Sequence, residues 1–323
     1  MSETVLKVEN LKTSFFTNQG EVKAIDGISF EVAEGETLGI VGESGSGKTV
    51  TGLSILRLLP EPAGRIIGGK VILEGQNLLE LSKNAMRNVR GKLISMILQD
   101  PMQSLNPVFT IGNQIAESIR LHRGFSEDKI HEEVISALRL LRIPAPERRV
   151  HDYPFQLSGG MRQRAVGAIA MSCRPRLLIA DEPTTALDAT IASQYIALFK
   201  DIQKMTNCSI LFITHDFGVV AKMCQRVAVM YAGKIVETAS IRALFKNPKH
   251  PYTIALMNSV PRLDQRYDRL YSIDGQPPSL LNLPEGCRFY PRCESRMDVC
   301  KEQQPPEIKT GAGESVSCWK ISK

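Results

Sequence analysis

The sequence predicts an α/β protein built on a mainly parallel sheet with helices on both faces. Two patterns predict it. Short apolar runs of strand length, Thr37–Val41, Leu177–Ala180 and Ile210–Thr214, are spread along the chain, and a strand buried on both faces reads as a continuous apolar run. Between them lie stretches with helical spacing. Thr49 to Leu59 is one, closed by Pro60. Residues 110–143 are another, where Ile115, Ile119, Val134, Leu138 and Leu141 recur at helical period before Pro144 and Pro146. Strands that alternate with helices imply parallel order. Residues 4–9 and 28–33 add strands to the first third, with a turn at Glu34-Gly35. Near residue 246 prolines become frequent and the periodicity weakens. A boundary there divides the chain into a large domain, 1–245, with a helical insertion at about 100–154, and a small irregular extension, 246–323.

Bulk properties narrow the class. Hydrophobic residues make up 43% and charged residues 23% of the chain, the balance of a soluble globular protein. A net charge of +6 is mild for 323 residues. Its nearest approaches to basic clusters are Arg148-Arg149 and Arg174 with Arg176, so nucleic acid is not expected as a partner. The N-terminal MSETVLKVEN has no basic segment followed by an apolar one, so no secretory signal is expected. No stretch approaches the ~20 apolar residues of a membrane span. Any transport would need a separate channel-forming partner.

Three motifs carry chemistry. The first is Gly42-Glu43-Ser44-Gly45-Ser46-Gly47-Lys48-Thr49, between a strand and a helix. Glycines let the backbone wrap phosphate oxygens with its N–H groups inward, and the helix that follows presents roughly half a positive charge. Lys48 is expected to bridge the β- and γ-phosphates of ATP, and Thr49 to ligate Mg2+. The second is Asp181-Glu182 at the end of an apolar strand, where ligands bind in such folds. Asp181 is expected to hold Mg2+ and Glu182 to act as general base on the attacking water. The third is Leu157-Ser158-Gly159-Gly160-Met161-Arg162-Gln163, a second anion-binding helix start. Two such starts, far apart in sequence, serve one nucleotide if two chains face each other head to tail.

With these motifs in order, residues 1 to about 245 resemble the nucleotide-binding subunits of ABC transporters. The resemblance implies a RecA-like parallel-sheet core, an antiparallel β subdomain and a helical insertion. It implies that Gln99, in Leu98-Gln99-Asp100-Pro101, reaches the metal and the attacking water. It implies that Asp188, in Ala186-Leu187-Asp188, signals across the dimer, and that His215 contacts the γ-phosphate. Phe15 stands where the family stacks an aromatic on adenine, with Phe16 beside it. Ser158, Gly159 and Gly160 would then act on the nucleotide of the opposite subunit, and the insertion near Ser104–Phe109 would touch the membrane subunit.

The tail narrows the resemblance. Asn247-Pro248-Lys249-His250-Pro251-Tyr252-Thr253, Ser259-Val260-Pro261 and Gly275-Gln276-Pro277-Pro278-Ser279-Leu280 are similar to the C-terminal extension of dipeptide and oligopeptide importer ATPases. Gly286-Cys287-Arg288-Phe289 and Arg292-Cys293 continue it. Cys287, Cys293, Cys300 and Cys318 crowd the last 40 residues. A reducing compartment disfavours disulfides. The intervals of five, six and seventeen residues are longer than the tight hairpins of structural zinc sites. Zinc, an iron–sulfur cluster with its more variable loops and four plain thiols all remain open on the residues alone. The resemblance implies a 4Fe–4S cluster, structural or sensory because ATP chemistry needs no electrons. Such a cluster would staple a segment too small to be stabilised by burial alone. Arg288, Arg292 and Arg296 would offset its charge. Loss of any one cysteine is expected to loosen the tail and spare ATP binding.

The resemblance further implies partners: a second ATPase subunit, identical or homologous, two transmembrane permease subunits and an extracytoplasmic peptide-binding protein, with this chain peripheral on the cytoplasmic face of the membrane. Peptides are the expected cargo, and nickel, glutathione or an oligosaccharide is the alternative. DNA-repair relatives of the same ATPase head interrupt it with a long coiled coil. Here only about a hundred residues separate Lys48 from Leu157, without sustained heptads. Translation-associated relatives carry two heads in one chain, whereas this sequence has one set of motifs. A non-enzymatic binding module would be expected to lack Glu182 or His215, and both are present.

Overall fold

The computed structural model describes residues 3–100, 104–185, 187–260 and 271–322. Pro101, Ala186 and Pro261 of the motifs above lie outside the described residues, as does part of the segment 100–154. In chain order the elements are β1 (Thr4–Thr17), β2 (Gly20–Ala33), β3 (Thr37–Val41), α1 (Lys48–Ile55), β4 (Gly64–Leu73), β5 (Gln76–Asn77), α2 (Lys83–Val89), β6 (Ile94–Ile97), α3 (Ile111–Arg123), α4 (Glu127–Leu140), α5 (Pro146–Arg149), α6 (Gly159–Met171), β7 (Leu177–Asp181), α7 (Ala189–Thr206), β8 (Ser209–Thr214), α8 (Phe217–Met223), β9 (Arg226–Tyr231), β10 (Lys234–Ser240), α9 (Ile241–Lys246), α10 (Pro251–Asn258), α11 (Val299–Glu302), β11 (Glu307–Gly311) and β12 (Glu314–Ser317). They fall into two compact units. One comprises Met1–Leu6, Val32–Thr37 and Leu73–Phe212, the other Lys7–Glu31, Leu38–Ile72 and Ile213–Lys323.

In the first unit β6 and β7 run parallel, in register from Ile94 opposite Leu177 to Ile97 opposite Ala180. Every residue of β7 is buried, as a two-sided strand requires. The helical insertion is present. Thr110 caps α3 by accepting the Asn113 N–H at 3.2 Å, and Gly124 ends it in the left-handed conformation with φ 61°. Ile111, Ile115 and Ile119 of α3 and Ile130, Val134 and Leu138 of α4 are buried. They form one apolar stripe per helix, and α3, α4 and α6 pack together on them.

In the second unit β3 runs parallel to β9, from Leu38 opposite Arg226 to Val41 opposite Val229. β10 returns antiparallel to β9 through Ala232-Gly233, both at positive φ, the two-residue turn whose twist matches paired strands. β1 lies between β2 and β4. The strands expected at 4–9 and 28–33 are the outer parts of this longer hairpin.

Two elements differ from expectation. α1 ends at Ile55, well before Pro60. Arg57 takes φ 53°, the Leu58 N–H reaches the Leu53 carbonyl at 2.8 Å and the Arg57 N–H the Ser54 carbonyl at 3.0 Å. That is a left-handed helix stop with arginine in place of the usual glycine. The tail is also more regular than its composition suggests. β11 and β12 form a hairpin, and β12 pairs antiparallel with β10, Glu237 opposite Val316. Buried Glu237 accepts the Lys249 and His250 N–H groups, each at 2.8 Å, and so fixes the start of α10 beside β10. No described helix is long and apolar enough to cross a membrane.

Candidate functional site

The phosphate-loop motif sits between β3 and α1 in the second unit. β3 is buried throughout and so delivers the loop at a fixed point. Gly47 occupies the helix N-cap with φ 104°, a conformation L side chains avoid. A Cβ there would stand 2.5 Å from the Ala24 carbonyl oxygen. Lys48 is buried, and its ammonium donates to the Gly42 and Glu43 carbonyls at 2.8 and 3.0 Å. The Ser46 hydroxyl is buried without a hydrogen-bond partner among the described residues, as suits a loop shaped for an acceptor-rich ligand. Glu43 is turned the other way. Its N–H donates to the Tyr252 hydroxyl at 2.9 Å, and its carboxylate accepts both terminal nitrogens of Arg292 at 2.7 and 3.0 Å.

His215 follows β8 and is exposed in the second unit. Next to it Asp216 caps α8, its carboxylate accepting the Gly218 and Val219 N–H groups at 2.7 and 3.2 Å. Phe15 and Phe16 point to opposite faces of β1, as strand alternation dictates. Phe15 is half-buried beside Gly64. Phe16 is 44% exposed, with the Arg65 guanidinium 5.3 Å from its ring centroid.

In the first unit the register of β6 with β7 brings two distant residues together. Gln99 and Glu182 each lie two residues beyond the last matched pair, Ile97 and Ala180. The Gln99 amide donates to Glu182 Oε2 at 3.2 Å. Thr185 donates to the same oxygen at 3.0 Å. Glu182 holds φ 46°, an uncommon backbone state for a residue with a side chain that recurs at functional sites. Asp181, the last residue of β7, is 2% exposed.

Ser158 caps α6, and its hydroxyl accepts the Met161 N–H at 3.4 Å. A Cβ on Gly159 would meet nothing within 4 Å, and one on Gly160 would meet only Ile191 Cγ2 at 3.0 Å. This helix start is therefore open above Gly159. Asp188 caps α7 through the Thr190 and Ile191 N–H groups at 3.1 and 3.0 Å. Gln163, one turn into α6 and buried, donates to the Pro183 carbonyl at 2.8 Å and so ties α6 to the loop after β7. Sequence reasoning passed over Thr185 and Gln163 as functional residues. Thr185 was within reach of it, standing three residues after the candidate base.

The four tail cysteines converge. Cys287, Cys293, Cys300 and Cys318 line one cavity together with His250 and Trp319. Burial pushes the Cys287 thiol up to about 11, and the other three thiols, close by, push in the same direction. Burial likewise raises Cys293 and Cys318. Among the described residues no three His, Cys, Asp or Glu side chains stand as a ready metal-ion site. The arginines expected to offset a cluster have other partners. Arg288 pairs with Asp26 and donates to the Ala232 carbonyl, Arg292 forks onto Glu43, and Arg296 lies 6.0 Å from the Tyr290 ring centroid. His250 is fully buried, and its Nδ1 accepts the Tyr252 N–H at 3.0 Å. Burial drives its pKa down to about 3.

Known proteins resemble this chain along most of its length. The family described as ABC transporter matches residues 25–185, and the oligopeptide/dipeptide transporter C-terminal region matches residues 236–300. A probable peptide ABC transporter ATP-binding protein of Sinorhizobium fredii is 52% identical over 100% of this chain and 96% of its own. The dipeptide transport ATP-binding protein of Bacillus subtilis is 49% identical over 98% of this chain and 95% of its own. Among solved structures, a dimeric bacterial ABC transporter cassette superposes with a TM-score of 0.65 at 25% identity, over 73% of this chain and 99% of that one.

Proposed function

The chain belongs to the ABC transporter ATP-binding proteins and carries the C-terminal region of the oligopeptide and dipeptide transporters, and on that premise we propose that it hydrolyses ATP to drive peptide uptake through an importer on the cytoplasmic face of the membrane. The observation that carries the chemistry is the Gln99–Glu182 pair at the end of β6 and β7. It holds a carboxylate and an amide where a water can be gripped from two sides. Peptide is favoured over nickel, glutathione or an oligosaccharide because the relatives are named for peptide, dipeptide and oligopeptide transport.

Each residue has a distinct task in this reading. The N–H groups of the 42–49 loop and the start of α1 receive the phosphates, and Lys48 exchanges the Gly42 and Glu43 carbonyls for β- and γ-oxygens. Thr49, Asp181 and Gln99 are the residues that would hold Mg2+, and the ion would supply charge neutralisation. Glu182 takes the proton of the attacking water, oriented by Gln99 and Thr185. His215 contacts the γ-phosphate, and Phe15, with Phe16 beside it, offers a ring face to adenine. Ser158, Gly159, Gly160 and Asp188 serve the nucleotide of a second, head-to-tail ATPase subunit. The open helix start above Gly159 supports this. Two permease subunits and an extracytoplasmic binding protein complete the assembly, and the segment 100–154 contacts the permeases. Residues 1–245 form the motor domain and 246–323 its extension.

In the same reading the four cysteines would hold a 4Fe–4S cluster. Such a cluster takes one thiolate per iron, so four thiols around a shared cavity suit it. Protein purified without oxygen should contain about four irons per chain by metal analysis. Stoichiometric zinc without iron would overturn this part. For the motor, Glu182→Gln should bind Mg-ATP and lose turnover in the complex reconstituted with its permeases. Full ATPase activity in that variant would refute the assignment of the base, and failure of peptide to stimulate the unaltered complex would refute the cargo.

A further inference from the structure

One residue of the phosphate loop is held from the tail. The Arg292 side chain is 4% exposed and the five donors of its guanidinium are all engaged. Nε donates to the Asp274 carbonyl at 3.0 Å. Nη1 reaches Glu43 Oε2 at 2.7 Å and the Tyr231 hydroxyl at 3.4 Å. Nη2 reaches Glu43 Oε1 at 3.0 Å and the Ile273 carbonyl at 3.4 Å. Tyr252, which accepts the Glu43 N–H, is fully buried among Tyr231 and Phe289, ring centroids 4.5 and 5.4 Å away. Glu43 is thus gripped at its side chain and at its N–H. Its remaining polar group, the carbonyl, accepts the Ser46 N–H at 3.2 Å and the Lys48 ammonium at 3.0 Å. Every polar group of Glu43 either anchors to the tail or shapes the loop.

We propose that Arg292 is a positioning residue for the phosphate loop, forming with Tyr252 a latch on Glu43 that holds the loop ready for ATP and makes nucleotide affinity depend on an intact tail. The proposal rests on the ATPase reading above. The physical case is preorganisation. A glycine-rich loop carries more conformational freedom than any other backbone, and ordering it only on binding lowers affinity. A bidentate guanidinium–carboxylate pair fixes orientation as well as distance, and a largely buried one leaves an uncompensated charge when either partner is cut. Arg292 directly precedes Cys293, so the segment that lines the four-thiol cavity also carries the latch. A cysteine change that loosens it should therefore lower ATP affinity, which replaces the expectation that ATP binding is spared.

The test measures Mg-ATP affinity of the full-length chain by calorimetry, with KM and kcat of the reconstituted complex alongside. Arg292→Ala should weaken binding about tenfold, the equivalent of one charge-assisted pair, and should raise KM more than it lowers kcat. Glu43→Ala should do the same, and the double variant should lose no more than the worse single one. Arg292→Lys, which keeps the charge without the fork, should fall between. Cys293→Ser should weaken binding in the unaltered chain and add nothing in Arg292→Ala. If Arg292→Ala does not fold, Glu43→Ala carries the test, because it removes no tail residue. Affinity within twofold of the unaltered chain in Glu43→Ala or in a folded Arg292→Ala, fully additive losses in the double variant, or a further loss from Cys293→Ser on Arg292→Ala would each overturn the latch. An unaltered chain that binds no Mg-ATP would instead sink the functional reading.

Discussion

Two glycines of one loop should respond very differently to the same methyl group. Gly45 and Gly47 both hold positive φ, 76° and 104°, so alanine at either costs the strain of an L residue in left-handed space, about 1–2 kcal/mol. They differ in what the methyl would meet. Above Gly45 nothing lies within 4 Å. At Gly47 the new carbon would stand 2.5 Å from the Ala24 carbonyl oxygen and 2.7 Å from Met230 Cε. The methionine end can swing aside, but the carbonyl belongs to β2 and cannot move without disturbing the hairpin. Forced overpacking of this kind adds about 1–3 kcal/mol. Gly47→Ala should therefore destabilise the nucleotide-free protein by about 2–5 kcal/mol and Gly45→Ala by about 1–2 kcal/mol. Urea unfolding of the two variants, followed by tryptophan fluorescence and far-UV circular dichroism, reads the difference. Gly47 is also the N-cap of α1, so its displacement should take ATP binding with it, whereas Gly45→Ala should retain measurable binding. Equal destabilisation of the two variants would refute the steric argument.

Three further outcomes are expected. Thr185→Ala should lower kcat several-fold with little change in ATP affinity, because it removes an orienting donor from the Glu182 carboxylate; Thr185→Ser should recover most of the loss, and steady-state kinetics of the reconstituted complex decide. Mixing Lys48→Ala chains with Gly160→Glu chains should give at most one intact composite site per pair, and a full rate from monomers, independent of concentration, would refute the head-to-tail arrangement. His250 is held neutral with its pKa near 3 against an ordinary value near 6.5, so between those values the unfolded chain binds the extra proton. Stability should fall as pH drops through about 6.5, by about 1.4 kcal/mol at pH 5.5, and His250→Gln should flatten that part of a thermal-unfolding profile.

The sequence was most legible where local pattern and local chemistry coincide. β3, β7 and β8 were visible because a strand buried on both faces must be a continuous apolar run. The loop at 42–49 was visible because its glycines, Lys48 and Thr49 keep the phosphate-loop spacing between a strand and a helix, and Gly45 and Gly47 take the positive φ that favours glycine. The amphipathic helices α3 and α4 declared themselves by period. The β11–β12 hairpin did not. Its strand Glu307–Gly311 carries one large apolar residue, Ile308, so no alternation stands out, and its pairing with β10 is a long-range event. The early end of α1 was hidden for a related reason. Arg57 in left-handed space is decided by the geometry of the stop, which composition does not report.

Glu43 shows most plainly where motif reading ends. Its position within the glycine loop marks it as a phosphate-binding residue, and the motif leaves that position free to be any amino acid. What its side chain and its N–H do is determined 209 and 249 residues away, at Tyr252 and Arg292. Neither partner is distinctive by itself. Arg292 lies among cysteines, where its charge suggests an electrostatic companion to a cluster, and Tyr252 is one aromatic in a proline-rich stretch. Only the folded chain puts a buried guanidinium and a buried phenol against the same loop residue. The tail then reads as a brace on the nucleotide loop as well as a holder of four thiols. Through these contacts a small segment with little apolar core stays in ordered contact with the loop expected to receive phosphate.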